Sequence, residues 1–154
     1  MIERKLMSGI VCAIRGGPNS RVTTIEAITL ARETSLPIHF LYVVNLDFLA
    51  RTATSRVSVI TEEMRQMGKS ILSMAQARAT EQGVRAEGVI RHGAVGEQIA
   101  GLCQELNADY LVLGRPEPDK EENVFTQARL AQFIERLESQ TGAKVTLTKG
   151  GARD

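Results

Sequence analysis

The stretch VIRHGAVGEQIAGLCQELNADYLVLG, Val89 to Gly114, decides the fold. Val89 and Ile90 end an apolar-rich segment, and Gly93 and Gly96 bracket a tight turn. Ile99, Leu102, Cys103 and Leu106 then recur at the spacing of one helix face. Tyr110, Leu111, Val112 and Leu113 follow as a continuous apolar run without polar alternation, which suits a parallel strand covered on both faces by helices. Gly114 ends the run. In an open α/β sheet ligands sit beyond the carboxyl ends of the strands, so the residues after Gly114 bear directly on function.

Working outward, Ile10 to Ile14 form a short apolar run between Ser8-Gly9 and Arg15-Gly16-Gly17-Pro18, which makes them the first strand. Asn19 or Ser20 can cap the next helix, whose expected core face is Val22, Ile25, Ile28 and Ala31, and which must end before Pro37. Ile38 to Val44, IHFLYVV, reads as a second buried strand, and a strand, helix, strand unit of this kind is parallel and right-handed. Asn45 to Ser58 is polar and small enough to predict a long loop. Thr61, with Glu62 and Glu63 behind it, predicts a helix start; Ile60, Met64, Met67, Ile71, Met74 and Ala75 form its expected core stripe, up to Gly83. A methionine stripe at this spacing reads as core packing rather than as an adaptable binding surface. Val84 to Arg91 is the third strand. After Gly114, RPEPDKEEN predicts a solvated loop; Phe125, Leu130, Phe133, Ile134 and Leu137 mark a last helix closed by Gly142. Lys144 to Thr148, KVTLT, alternates as a half-exposed edge strand, and 149–154 reads as a flexible tail.

The chain has 154 residues, 43% of them hydrophobic, which predicts one domain with its core over about residues 8–148. A net charge of +1 lacks the electrostatic footprint of a nucleic-acid binder. There is no run of about 18 apolar residues and no convincing signal segment, so the sequence predicts a cytoplasmic protein without direct membrane insertion. Cys12 and Cys103 fall in an expected strand and helix face, where free cysteine packs as a small hydrophobe rather than as a metal or redox group.

Five alternations of strand and helix imply an α/β fold with an open parallel sheet between two layers of helices. IVCAIRGGPNS, the IRHG turn with its helix, and the strand NADYLVLG together resemble the universal stress protein family, over roughly Ser8 to Thr148. The resemblance implies a Rossmann-like five-stranded parallel sheet of order 3-2-1-4-5 and a homodimer formed by pairing the fifth, C-terminal edge strands. It also implies a place for ATP in those members that bind it. In them an aspartate closes the first strand and meets the ribose; Arg15 stands there in this chain. Backbone at the end of the second strand meets adenine, which falls on Val43. A loop of glycine, two residues, glycine, nine residues, glycine and serine or threonine holds the phosphates. Gly114 matches its first glycine, but Glu117 replaces the second, and Gln127 and Ala128 fall on the closing pair.

The departure has a physical meaning. Glycines let backbone amides approach phosphate oxygens closely, and side chains forbid some of the conformations involved. Glu117, Asp119, Glu121 and Glu122 would repel a triphosphate, with only Arg115 and Lys120 to offset them. The residues therefore predict no required cofactor and weak or absent ATP binding, with Arg15, Gly16, Val43, Gly114 and Arg115 as a degenerate nucleotide site that could still take ATP or AMP. Arg15 with the amides of Gly16 and Gly17 could instead receive a small anion, or remain an unliganded surface arginine. His92 lies near the mouth of the sheet with no identifiable nucleophile or orienting carboxylate, so no catalytic residue and no metal site are assigned. His39 reads as a structural histidine of the second strand, and the acidic loop as a solvated segment rather than a docking surface. The expected protein is a non-catalytic stress-response regulator acting through a homodimer and an unidentified protein partner. The alternatives are a nucleotide-binding member with a rearranged phosphate loop, or the regulatory domain of a transporter or sensor, of which this chain would be a piece.

Overall fold

The computed structural model describes residues 9–15, 18–45, 57–114 and 124–148. The expected loops after Val44 and after Gly114, the tail from residue 149, and Gly16 and Arg115 lie outside these residues, apart from a few residues at the loop ends. In chain order the elements are β1 (Ile10–Ala13), α1 (Pro18–Thr34), β2 (Ile38–Val44), α2 (Val57–Glu81), β3 (Ala86–His92), α3 (Val95–Leu106), β4 (Tyr110–Leu113), α4 (Val124–Thr141) and β5 (Lys144–Leu147). The five strands form one sheet in the order β3-β2-β1-β4-β5, as the resemblance implied. All four pairings are parallel, with Ala13 opposite both Leu41 and Leu113.

Successive residues of a strand point to opposite faces, and the sheet uses this to build two cores. Ile10, Cys12, Phe40, Tyr42 and Val112 face α1 and α2, where they meet Ala27, Ile28, Leu72, Ala75 and Ala79. Val11, Leu41, Leu111 and Leu113 face α3 and α4, against Ile99, Leu102, Cys103 and Leu137. β1 lies at the centre of the sheet and is buried from Ile10 to Cys12, which is why IVCA carries no charged or hydrogen-bonding side chain. Gly83 and Gly142, at φ +78° just past the ends of α2 and α4, adopt the left-handed conformation that glycine tolerates without a Cβ clash.

Several expectations are corrected. Val22 to Ala31 at steps of three drifts round the helix, because nine residues at about 100° each place the two ends about 180° apart. The buried line of α1 is instead Thr23, Thr24, Ala27, Ile28 and Ala31, and Ile25 is 48% exposed. α2 begins at Val57, four residues before Thr61. Its expected stripe holds in part: Ala75 is buried and Met64 and Ile71 are half-buried against the core, but Met67 and Met74 are 55% and 61% exposed, and Gly68, Leu72 and Ala79, one position along, are buried in their place. Close approach explains the shift, because small residues let α2 lie directly on the sheet. A Cβ on Gly68 would stand 2.5 Å from Tyr42 Cδ2. Gly96 is not part of a turn but the second residue of α3, where a Cβ would come within 3.0 Å of the Phe133 ring of α4. Asn19 and Ser20 are likewise inside α1, which starts at Pro18, a residue suited to the first helical turn. Smaller differences are one or two residues at strand ends: β1 stops at Ala13, β3 runs Ala86–His92 and β5 stops at Leu147.

Candidate functional site at the carboxyl ends of the strands

The residues expected to meet a nucleotide converge where they are described. Ala13 pairs with Leu41 and Leu113, so Ile14 comes level with Gly114 and, two residues beyond Leu41, Val43 comes level with Arg15. Bonds beyond the ladder hold the ends in place: Ile14 N–H donates to Leu41 O at 2.9 Å and Thr148 N–H to Leu113 O at 2.9 Å. Arg15 is exposed, and its backbone N–H donates to Ser20 Oγ at 3.2 Å. That bond ties the end of β1 to the first turn of α1 and leaves the guanidinium at the mouth of the sheet. Val43 is half-buried on the α3 and α4 face, so its backbone is what it can offer to a ligand.

Behind the mouth lies a contact that the sequence did not reveal. Thr23 of α1 is 1% exposed and Thr148, just after β5, is 0% exposed; their Oγ1 atoms are 3.4 Å apart. A Cβ on Gly114 would sit 2.8 Å from Thr23 Oγ1, so close approach by itself favours glycine there. Three elements distant in sequence meet at this point, which is why no local motif marks it. The one available signal was the Thr23-Thr24 pair at the start of the Ala27, Ile28, Ala31 face.

Other titratable groups are less suited to chemistry. His92 ends β3 at the edge of the sheet and is exposed, with β2 between it and Arg15's strand. His39 Nδ1 is 3.8 Å from Glu87 Oε1 across the β2 and β3 pair. Burial pushes the His39 pKa below the ordinary imidazole value, partly opposed by the Glu87 charge. Arg91 of β3 makes a two-pronged bond to Glu105 of α3, at 3.0 and 2.8 Å, on the outside of the fold. Both cysteines are free and buried; burial pushes the Cys103 thiol up to about 12 and Cys12 higher still. Among the described residues no group of three or more His, Cys, Asp or Glu could hold a metal ion, and no helix is long and apolar enough to cross a membrane.

A doubly wound parallel sheet between two helix pairs, with its mouth at the switch point between β1 and β4, defines a Rossmann-like α/β domain. The model of the universal stress protein family matches residues 7–125. The chain belongs to that family. Universal stress protein UspA of Lactobacillus plantarum superposes with a TM-score of 0.73 at 14% identity, over 92% of this chain and 98% of that one. A family member from Burkholderia pseudomallei gives 0.67 at 21% identity, over 92% and 96%. The Archaeoglobus fulgidus universal stress protein in complex with dAMP gives 0.60 at 17% identity, over 92% and 97%. At these identities the likeness is one of fold. No curated protein matches the chain.

Proposed function

We propose that this chain acts as one domain, a non-catalytic universal stress protein of the cytoplasm that works through a homodimer and a protein partner and binds ATP weakly or not at all. The observation that carries the reading is Arg15, an exposed cation immediately beyond the β1 apolar run and two residues past Ala13, which pairs with Leu41 and Leu113. A guanidinium there cannot accept the hydrogen bonds of a ribose diol, because it has donors only. The carboxylates of the sequence after Gly114 add repulsion toward a triphosphate.

Pairing of β5 with a second copy is the expected dimer contact. Lys144 N–H and Thr148 N–H point toward β4, so Val145 N–H points to the open edge, where Glu138 Oε2 accepts it at 3.0 Å. A strand pairing at this edge must displace that carboxylate, which makes Glu138 a guard on dimerisation.

A second reading is favoured by the Archaeoglobus fulgidus relative, whose structure is of a complex with dAMP. A monophosphate needs no cradle for β- and γ-phosphates, so an AMP-like ligand could use the mouth with its single phosphate on Arg15. Acid extraction of natively purified protein, followed by chromatography of the extract, tests both readings. The first expects no nucleotide near stoichiometry; AMP at one per chain supports the second, and ATP at one per chain overturns the first.

A further inference from the structure

A groove between α1 and α2 adjoins the mouth at Ile14 and Ser20 and runs away from it along the two helices. Its floor is apolar, formed by Ile14, Ile71 and Ala75, with the exposed thioether of Met74 on one wall. Arg21 of α1 and Arg78 of α2 stand on its two sides, and among the described residues no acidic side chain lines it. Neither arginine is ion-paired among the described residues, although elsewhere on the surface Arg65 and Arg91 have carboxylate partners. The groove also contains an unsatisfied group. Thr24 is 3% exposed, lines the groove, and has no hydrogen-bond partner among the described residues. Leaving a buried hydroxyl unpaired is costly, and an arriving backbone carbonyl or amide would remove that cost.

The volume, about 130 Å³, identifies the size of the occupant. Cofactor and drug-sized sites run to roughly 300–1,000 Å³, so this space suits one aliphatic side chain rather than a nucleotide. Methionine walls adapt to whatever side chain enters. Two unpaired guanidiniums on either side of an apolar floor call for carboxylates flanking an apolar anchor.

We propose that the α1 and α2 groove is the docking site for an acidic segment of a partner protein. One aliphatic side chain enters between Ile71 and Ala75, its flanking carboxylates meet Arg21 and Arg78, and its backbone satisfies the Thr24 hydroxyl. This rests on the reading that the protein works through a protein partner, and it names the surface and the chemistry that partner must have.

The test is fluorescence anisotropy with a labelled nonapeptide of alternating Glu and Asp around a central Leu. Two controls accompany it, one with the Leu replaced by Ser and one with all acids replaced by Lys. The full chain is expected to bind the first peptide, to bind the Ser version several-fold more weakly, and not to bind the Lys version. The double variant Arg21→Glu with Arg78→Glu, whose circular dichroism should match the parent, is expected to bind the acidic peptide at least roughly tenfold more weakly. Thr24→Val is expected to weaken binding while raising the unfolding temperature, a combination that simple damage to the fold would not give. Absence of binding by the parent chain, or binding that survives the double charge reversal in full, overturns the proposal. If it fails while the extracted protein carries no nucleotide, the partner-based reading stands and this surface is ruled out; nucleotide at one per chain removes the reading itself.

Discussion

Two helical glycines should respond in opposite directions to the same substitution. Gly→Ala in a helix interior normally gains about 1 kcal/mol, because alanine loses less backbone freedom on folding. At Gly101 of α3 a Cβ meets nothing within 4 Å, so Gly101→Ala should collect that gain in full. At Gly68 of α2 the new methyl would stand 2.5, 2.8 and 3.0 Å from Cδ2, Cε2 and Cγ of Tyr42. Tyr42 is 6% exposed in β2, so its ring cannot swing into solvent, and α2 must lift from the sheet instead. Overpacking of this kind costs roughly 1–3 kcal/mol, and three contacts at or below 3.0 Å put this site at roughly 2–3, so that after the propensity gain of about 1 a net loss of about 1–2 kcal/mol remains. For a chain of 154 residues the midpoint of thermal unfolding should fall by about 2–8 °C for Gly68→Ala and rise by about 2–4 °C for Gly101→Ala. Urea unfolding monitored by circular dichroism gives the free energies, with the slope expected to be unchanged. In a Tyr42→Leu background the Gly68→Ala penalty should shrink by about 1 kcal/mol or more. Equal stabilisation by both substitutions, or a Gly68 penalty that persists without the Tyr42 ring, would refute the claim that α2 is seated on that ring.

Four further outcomes are expected. His39 is depressed by burial, so below about pH 6.5 the unfolded chain takes up the proton more readily than the folded one. Stability should therefore fall from pH 7 to pH 5, and His39→Gln should flatten that slope in thermal melts; an unchanged slope argues against it. Cys12 and Cys103 should resist Ellman's reagent at pH 8 until denaturant is added, because burial holds both as thiols, Cys103 up to about 12; rapid reaction in the native state would contradict their packing. Gly114→Ala should cost roughly 1–2 kcal/mol in urea by pushing on Thr23 and opening its 3.4 Å contact with Thr148, and a stability equal to the parent would remove the steric reason for that glycine. Glu138→Ala frees the outward Val145 amide and should shift the association equilibrium toward dimer in light scattering; a shift toward monomer would show that the carboxylate supports pairing instead of opposing it.

Legibility in the sequence followed the kind of contact involved. β2 and β4 were readable to the residue because a strand buried on both faces is a nearly continuous apolar run, and Tyr110 to Leu113 and, but for His39, Ile38 to Val44 are such runs. Helix faces were harder to read. In α2 the large residues Met67 and Met74 suggested the core, yet the helix rests on Gly68, Ala75 and Ala79, whose small size permits contact with the sheet. Counting large apolar residues misses a face that works by close approach. Strand order came from the resemblance, since parallel pairing between segments distant in the chain leaves no local trace. Arg15 was legible as a departure because it directly follows the β1 apolar run, and the structure sets it level with Val43 and next to Gly114's strand. Thr23 and Thr148 were not legible, because a sequence separation of 125 hides a contact that only the β4 and β5 register creates.

The measurement that tests the account most directly is isothermal titration of ligand-stripped protein with ATP and with AMP, with and without magnesium. With Arg15 in place of a ribose-binding carboxylate, no heat is expected for ATP at millimolar concentration, and Arg15→Asp is expected to be the variant that gains any. Binding of ATP near micromolar by the unmodified chain, about −8 kcal/mol, would contradict the account and make this chain a nucleotide-binding universal stress protein.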